Sequence, residues 1–273
     1  MSVVISLSEA RAERAPVRAS AVRGIAEVAY GPGDDAARLR YLYQQDPLRI
    51  LFPRPAKDDL PLAVFVTTSG GLVGGDRLEL TGRAEAGAAV QMTAQSAEKV
   101  YRSTGAVCDI DVTLTCDDGS WLEWLPQETI VFDGARLVRR TRADVASGGR
   151  LLAGELVVLG RTAMGESFDT GILRDEWEVR RDGRLIWADA FCLERDIPAI
   201  IAHPAGLAGA KAVATVVYAA DGAPGKLDLA RRLLELAGDA VRVGASIVNG
   251  VLVARFLSAD TMALRAAFGA FWA

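Results

Sequence analysis

"TTSGGLVGGDRLEL", residues 67–80, sets four glycines within six positions and then alternates charge with leucine. A phosphate-cradling loop here would make the chain a nucleotide enzyme. A tight connection that launches a strand would make it a β protein. A Walker loop reads G-x-x-x-x-G-K-[ST], and its lysine meets the phosphates. Gly70 and Gly75 have the outer spacing, but Asp76 and Arg77 follow, and an aspartate there repels a phosphate. A dinucleotide loop needs a helix after the glycines, so that the helix N-terminus faces the pyrophosphate. Leu78 and Leu80 instead flank Glu79 at strand period. The stretch is therefore read as a bent strand-to-strand connection, where glycine supplies positive φ and lets backbones approach closely. Asp76, just past the bend, is left with two readings: a cap on local backbone N–H groups or a functional carboxylate.

Outward from the glycines the period stays near two. "LAVFVTT" (62–68) is a short β-branched run, read as a buried strand. After the bend, residues 76–95 read as two strands with a turn at "EAGA", the second setting Val90, Met92 and Ala94 on one face. In 108–132, Ile110, Val112 and Leu114 share a face, Asp117-Asp118-Gly119 turns, and Leu122 and Trp124 oppose Trp121, Glu123 and Leu125. "RLVRRTRADVA" and "RLLAGELVVLGR" continue in the same style. "DEWEVRRDGRLIWADAFCLE" reads as a hairpin through Asp182-Gly183, with Trp177, Val179, Leu185 and Trp187 alternating. Residues 38–52 alternate around Leu39, Tyr41 and Tyr43, and 53–61 hold three prolines in a loop.

The tail changes character. Residues 210–220 read as a strand and 227–238 as a helix stopped by Gly238. "VRVGASIV" and "GVLVARFL" pair across Asn249-Gly250. A last helix starts near 258, with Ser258 as its N-cap. The expected fold is mainly β: stacked antiparallel or mixed sheets in a β-helix-like or sandwich-like body over about 20–205, with turns every ten residues or so. A smaller βαββα part follows over about 206–273, within a single domain spanning 1–273. The body strands are expected to be largely antiparallel.

Composition narrows the function. The chain has 273 residues, 51% of them apolar and 24% charged, enough to bury a core. A formal net charge of −4 offers no basic field for nucleic acid. No stretch approaches about 20 uninterrupted apolar residues, so no membrane span is expected, and the N-terminus lacks the apolar core of a signal peptide. Three cysteines without C-x-x-C spacing suggest buried, reduced thiols and a cytoplasmic protein. The single histidine, His203, is poor stock for a permanent transition-metal site.

Five blocks occur in order: "GGLVGGDRLEL" (70–80), "SAEKVYRSTG" (96–105), "WLEWLPQETIVFDGARL" (121–137), "LGRTAMGESFDTGIL" (159–173) and "GASIVNGVLVARFLS" (244–258). Together they closely resemble the UreD (UreH) family of urease accessory proteins. The resemblance implies a non-catalytic scaffold in urease maturation. Its implied partners are apo-urease, an all-helical UreF-like accessory protein and, through that complex, a UreG-like GTPase that delivers nickel. It implies no resident cofactor, and transient nickel in a tunnel lined partly by acidic residues.

Nickel held tightly prefers imidazole and thiolate, which this chain hardly offers. Nickel in transit would pass weakly held, beside carboxylates. By motif position the candidates are Asp76, Glu123, Glu128, Glu166 and Glu178, each of which also reads as a turn or solvent-facing residue. Lys99, Tyr101 and Arg102 in "EKVYRS" are candidate partner contacts, or strand residues with wet tips. Gly70, Gly71, Gly74 and Gly75 are taken as structural. Two other classes compete with the scaffold. One is a hydrolase using Glu123 and Glu128 as acid and base, which their odd spacing on one strand disfavours. The other is a generic β-structured binding module with no metal role.

Overall fold

The computed structural model describes residues 21–33, 37–57 and 59–272. Its strands fall into two stacked sheets. The first contains β1 (Arg23–Gly31), β2 (Arg38–Gln45), β5 (Arg77–Ala84), β8 (Cys108–Cys116), β11 (Arg136–Val145), β13 (Ile172–Arg181) and β14 (Arg184–Leu193), in the order β14-β13-β11-β8-β5-β1-β2. The second contains β3 (Leu48–Leu51), β4 (Leu62–Thr67), β6 (Ala89–Ala94), β9 (Trp121–Leu125), β12 (Arg150–Leu159), β15 (Ala212–Ala219), β16 (Arg242–Val248) and β17 (Val251–Ser258). Two short strands, β7 (Glu98–Val100) and β10 (Thr129–Val131), attach beside β12.

The mainly β, stacked-sheet expectation holds, but the pairing within the body differs from it. Consecutive body strands fold back antiparallel only at β1–β2, β3–β4 and β13–β14; from β4 to β13 the longer strands cross to the other sheet instead of folding back on a neighbour. β5, β8, β11 and β13 pair in parallel in the first sheet, and β4, β6, β9 and β12 in parallel in the second. The chain thus winds in flattened, solenoid-like coils. The turns at "EAGA" and at Asp117-Asp118-Gly119 join strands of opposite sheets and close no hairpin. Period-two alternation fixes which side chains face inward, but it is blind to which strand lies alongside. The antiparallel pairs predicted at Asp182-Gly183 and Asn249-Gly250 are present. In the former, a bulge after Val179 leaves Leu185 exposed while Trp177, Val179 and Trp187 are buried.

The interior between the sheets is built from the inward alternates. Val90, Met92, Leu114, Leu122, Leu137, Ala143, Leu151, Leu173 and Val179 are all at most 1% exposed. The outer face of the first sheet is instead a lattice of charges, such as Arg140 with Asp109 and Arg83 with Asp117. Three helices follow the body: α1 (Ile197–Ala202), α2 (Leu227–Leu234) and α3 (Thr261–Trp272). β15 pairs with β12, so the βαββα tail extends the second sheet. Helix α3 covers part of that sheet's outer face, packing Leu264, Ala267 and Phe268 onto Leu156, Ala214 and Phe256.

Three local expectations are corrected. Ser258 ends β17 and does not cap α3. The cap is Asp260, whose Oδ1 accepts the Met262 and Ala263 N–H groups, while Ser258 Oγ accepts the Asp260 N–H. The helix read to 238 ends at Leu234 and continues as a 3-10 turn to Ala237, leaving Leu236 exposed. Cys108 and Cys116 are buried as expected, but Cys192 is exposed. Helix α1, unpredicted, is short and starts at a proline-containing turn where apolar period gives little signal. Among the described residues no helix is long and apolar enough to cross a membrane.

Candidate functional site

The glycine-rich stretch begins a ledge that runs along one side of the coils. Leu72 bridges in parallel to Val100, Val100 pairs with Val131, and Val131 with Leu159. All four are at most 2% exposed. The "GGLVGG", "EKV", "TIV" and "VLG" segments, about 30 residues apart in sequence, are therefore stacked rungs. Gly71 has φ +145°, and a Cβ there would sit 2.8 Å from the Lys99 carbonyl oxygen. No other residue fits this conformation and this approach without strain.

Asp76 secures the bend. Its Oδ1 accepts the Val22 N–H at 3.0 Å and its Oδ2 the Val73 N–H at 2.9 Å, and it is 4% exposed. The outer corners of the ledge are tied by carboxylates in the same manner. Asp133 Oδ1 accepts the Asp169 and Thr170 N–H groups, and its Oδ2 pairs with Arg102 at 2.7 Å. These donors outweigh its partial burial and hold its pKa below the usual carboxylate value. Glu166 accepts the Asp133 N–H and pairs with Arg161, and that hydrogen-bonded guanidinium lowers its pKa. Tyr101 donates to the Gly70 carbonyl at 2.6 Å and packs edge-on to Phe132.

The rungs alternate in direction. Glu98, Thr129 and Val157 share one register position, while Lys99, Ile130 and Val158 share the next. The inner set faces the space between the sheets. A cavity of about 60 Å³ there is lined by Thr67, Glu98, Trp124, Thr129, Arg139 and Glu155, among others. It holds the most deeply buried charges in the described residues. Arg139 on β11 takes Asp175 on β13 bidentately, Nε to Oδ1 at 3.0 Å and Nη2 to Oδ2 at 2.7 Å. Its Nη1 donates to Thr129 Oγ1 at 2.9 Å and lies 2.6 Å from Glu155 Oε2 on β12, off the line of the N–H.

Two carboxylates thus share one guanidinium. Burial opposes the charge of Arg139, but Asp175 and Glu155 together overcome it and raise its pKa. Burial pushes Glu155 up to about 7 despite Arg139, and the Asp175 charge adds to the rise. Glu98 is also raised by burial, although Thr67 donates to it at 2.5 Å. The arrangement supplies carboxyl oxygens in a confined polar space. Among the described residues no three His, Cys, Asp or Glu side chains cluster as a metal-holding group.

None of the five acidic residues singled out from the sequence lines this cavity. Glu123 lies on the outer face of the second sheet, accepting from Gln91 and from the Trp121 indole, both at 2.8 Å. Glu128 pairs with Arg265 at 3.1 Å on the outer side. Glu178 pairs with Arg180 on the outer face of the first sheet. Glu123 and Glu128 are each engaged by different partners, so no acid–base pair forms. Lys99, Tyr101 and Arg102 do come together with the ledge loops. His203 Nδ1 accepts the Ala205 N–H at the exposed end of α1.

The buried charges were legible by face. Arg139 shares its strand face with Leu137, Ala143 and Val145, and Asp175 shares its own with Leu173, Trp177 and Val179. Glu155 is the one charge in "LLAGELVVLG". A charge on an otherwise apolar face is the informative exception. Selection by motif position passed over it.

Comparison with known proteins gives one consistent result. A family model described as "UreD urease accessory protein" matches residues 22–273. The Urease accessory protein UreD of Magnetococcus marinus is 43% identical over 254 residues, covering 92% of this chain and 88% of the relative. Urease accessory protein UreD 2 of Methylorubrum populi is 42% identical over 240 residues, 88% and 81% of the respective lengths. A UreD of Rhodopseudomonas palustris is 41% identical over 250 residues, 90% and 86%.

Proposed function

The chain belongs to the UreD urease accessory protein family, and on that premise we propose that it is a urease maturation factor acting as a non-catalytic scaffold in the cytoplasm. It binds apo-urease together with a helical UreF-like accessory protein. It meets a UreG-like GTPase through that complex and assists insertion of nickel into the urease active site. The observation that carries this reading is the family match from residue 22 to the end, which spans every rung of the ledge.

Nickel on this reading is cargo and not a resident cofactor. It passes weakly held and hydrated, because a route must admit an ion and also release it. What supports a route between the sheets is the cavity carrying Glu98 and Glu155, with Asp175 behind Arg139. The route uses these inner carboxyls and not Asp76, whose oxygens are already committed to backbone N–H groups.

The test co-expresses tagged chain with apo-urease and the helical accessory protein. Co-purification of all three, with Glu98→Gln and Glu155→Gln lowering nickel per urease while leaving co-purification intact, supports scaffold and route together. Full nickel loading with both variants, co-purification intact, removes the route and leaves the scaffold. Failure to co-purify at low salt removes the scaffold.

A further inference from the structure

The first sheet ends in an open edge at β2. β2 stands last in the strand order, and β1 is the one strand paired with it among the described residues. A terminal strand presents a row of unpaired backbone N–H and C=O groups, and proteins normally shorten, cover or charge such a strand. β2 runs for eight residues, and all of them touch solvent. Its first residues carry the usual protection: Arg38, Arg40 and a bulge that leaves Arg40 out of register with β1. The rest, Tyr41 to Gln45, pairs regularly with β1 and bears no charge.

This edge is apolar on both faces. Tyr41 and Tyr43 lie opposite Ala29 and Glu27, toward the outer face, while Leu42 lies opposite the buried Val28, toward the inner one. Tyr41 donates to Glu27 Oε2 at 3.1 Å and Tyr43 to Gln45 Oε1 at 3.4 Å, so both hydroxyls are engaged within the chain. The rings stay bare: Tyr41 is 51% exposed, Tyr43 43% and Leu42 38%. Gln44 Oε1 accepts the Ile50 N–H at 2.9 Å and ties β3 to this edge, and the exposed Leu51 and Phe52 follow directly. Residues 39–52 thus hold the densest run of exposed large apolar side chains among the described residues.

We propose that β2 pairs two copies of this chain, antiparallel about a two-fold axis at Leu42, so that their first sheets join into one. The strand is complementary to itself in that arrangement. A two-fold contact sets residue i against residue j and j against i. With the axis at Leu42, Tyr41 meets Tyr43 of the partner subunit twice over on the outer face, and Leu42 meets Leu42 of the partner subunit on the inner face. Cross-strand neighbours bring their Cβ atoms to about 4.5–5.5 Å, and aromatic pairs are among the favourable ones. Charge selects the same direction. Arg38 and Arg40 stand at the start of β2, and Asp46, its side chain 72% exposed, stands just past the end, held only by Arg49 at 2.7 Å. Antiparallel pairing carries each arginine end toward Asp46 of the partner subunit, whereas parallel pairing would set arginine beside arginine. One short edge covers less than the roughly 1,200 Å² of a standard interface, so association is weak and reversible. The inference goes beyond the scaffold reading and does not depend on it.

The experiment is sedimentation velocity of the purified full-length chain from about 1 to 100 µM, a span suited to weak association. The wild-type average mass should climb from the 29.0 kDa of one chain toward twice that. Leu42→Lys sets two ammonium groups against each other at the axis, and it should hold the single-chain mass throughout while melting at the wild-type temperature. A second variant reads the register. Cys108 and Cys116 are buried and Cys192 is exposed, so Leu42→Cys is placed in a Cys192→Ser background and treated with diamide. It should yield a covalent dimer, while Val248→Cys, exposed on the far edge strand β16, should yield none under the same treatment. A wild-type chain that keeps the single-chain mass across the range would overturn the proposal. So would a folded Leu42→Lys variant that associates like wild type, or equal cross-linking at positions 42 and 248.

Discussion

Arg139 Nη1 lies 2.6 Å from Glu155 Oε2 across the space between the two sheets, while the same guanidinium grips Asp175 within its own sheet. One buried cation therefore serves two buried carboxyls, and the second carboxyl is the one that burial drives toward neutrality. Burial pushes the Glu155 carboxyl up to about 7 in the fold, above its ordinary 4.5. A group whose folded pKa is raised contributes stability that is fully present below its unfolded pKa and is lost as pH rises through its folded one. The Glu155 contribution should thus fade between about pH 4.5 and 7, by at most about 3 kcal/mol. Glu155→Gln keeps the neutral Arg139–Asp175 pair and should flatten that part of the profile, melting above wild type at pH 8. A wild-type pH profile in the variant would contradict this.

Arg139→Met tests the cation. It leaves Asp175 and Glu155 buried without their shared partner. Loss of one member of a buried ion pair costs about 3–5 kcal/mol. Urea unfolding should show a drop of that size, and a loss under about 1 kcal/mol would mean the cluster contributes little.

Asp76→Ala removes both acceptors at the bend and orphans the Val22 and Val73 N–H groups. Orphaning a buried donor costs about 1–3 kcal/mol. The melting temperature should fall accordingly, and faster hydrogen exchange should appear in β1, which starts one residue after Val22. Unchanged stability would return Asp76 to the list of free carboxylates.

Adjacent glycines should respond in opposite ways. A Cβ on Gly70 meets nothing within 4 Å, and its φ is not positive. On Gly71 it meets the Lys99 carbonyl at φ +145°. Gly70→Ala should be neutral or slightly stabilising, by up to about 1 kcal/mol, and Gly71→Ala destabilising by more than that. Equal melting temperatures would contradict the ledge geometry.

The sequence made some levels of this architecture readable and hid others, for physical reasons. Strand period exposed the inward faces, because Ile110, Val112 and Leu114 must share one side of a pleat. The Asn249-Gly250 and Asp182-Gly183 turns specified their hairpins locally. Parallel pairing was hidden, since β5 and β8 meet across more than twenty intervening residues and nothing in either names the other. The ledge was hidden for the same reason. Its rungs are three residues long, too short for a period, and only stacking reveals Leu72, Val100, Val131 and Leu159 as one column. Among the acids, motif position drew attention to Glu123 and Glu178, which the pleat turns outward. Arg139, Glu155 and Asp175 betrayed themselves as charges on apolar faces.

The most direct measurement is the nickel content of urease purified from cells that make all accessory proteins, with this chain deleted and then restored. Urease should be near nickel-free without the chain and loaded with it, while the purified chain turns over no urea or model ester. Urease fully loaded with nickel in the deletion strain would contradict the scaffold role.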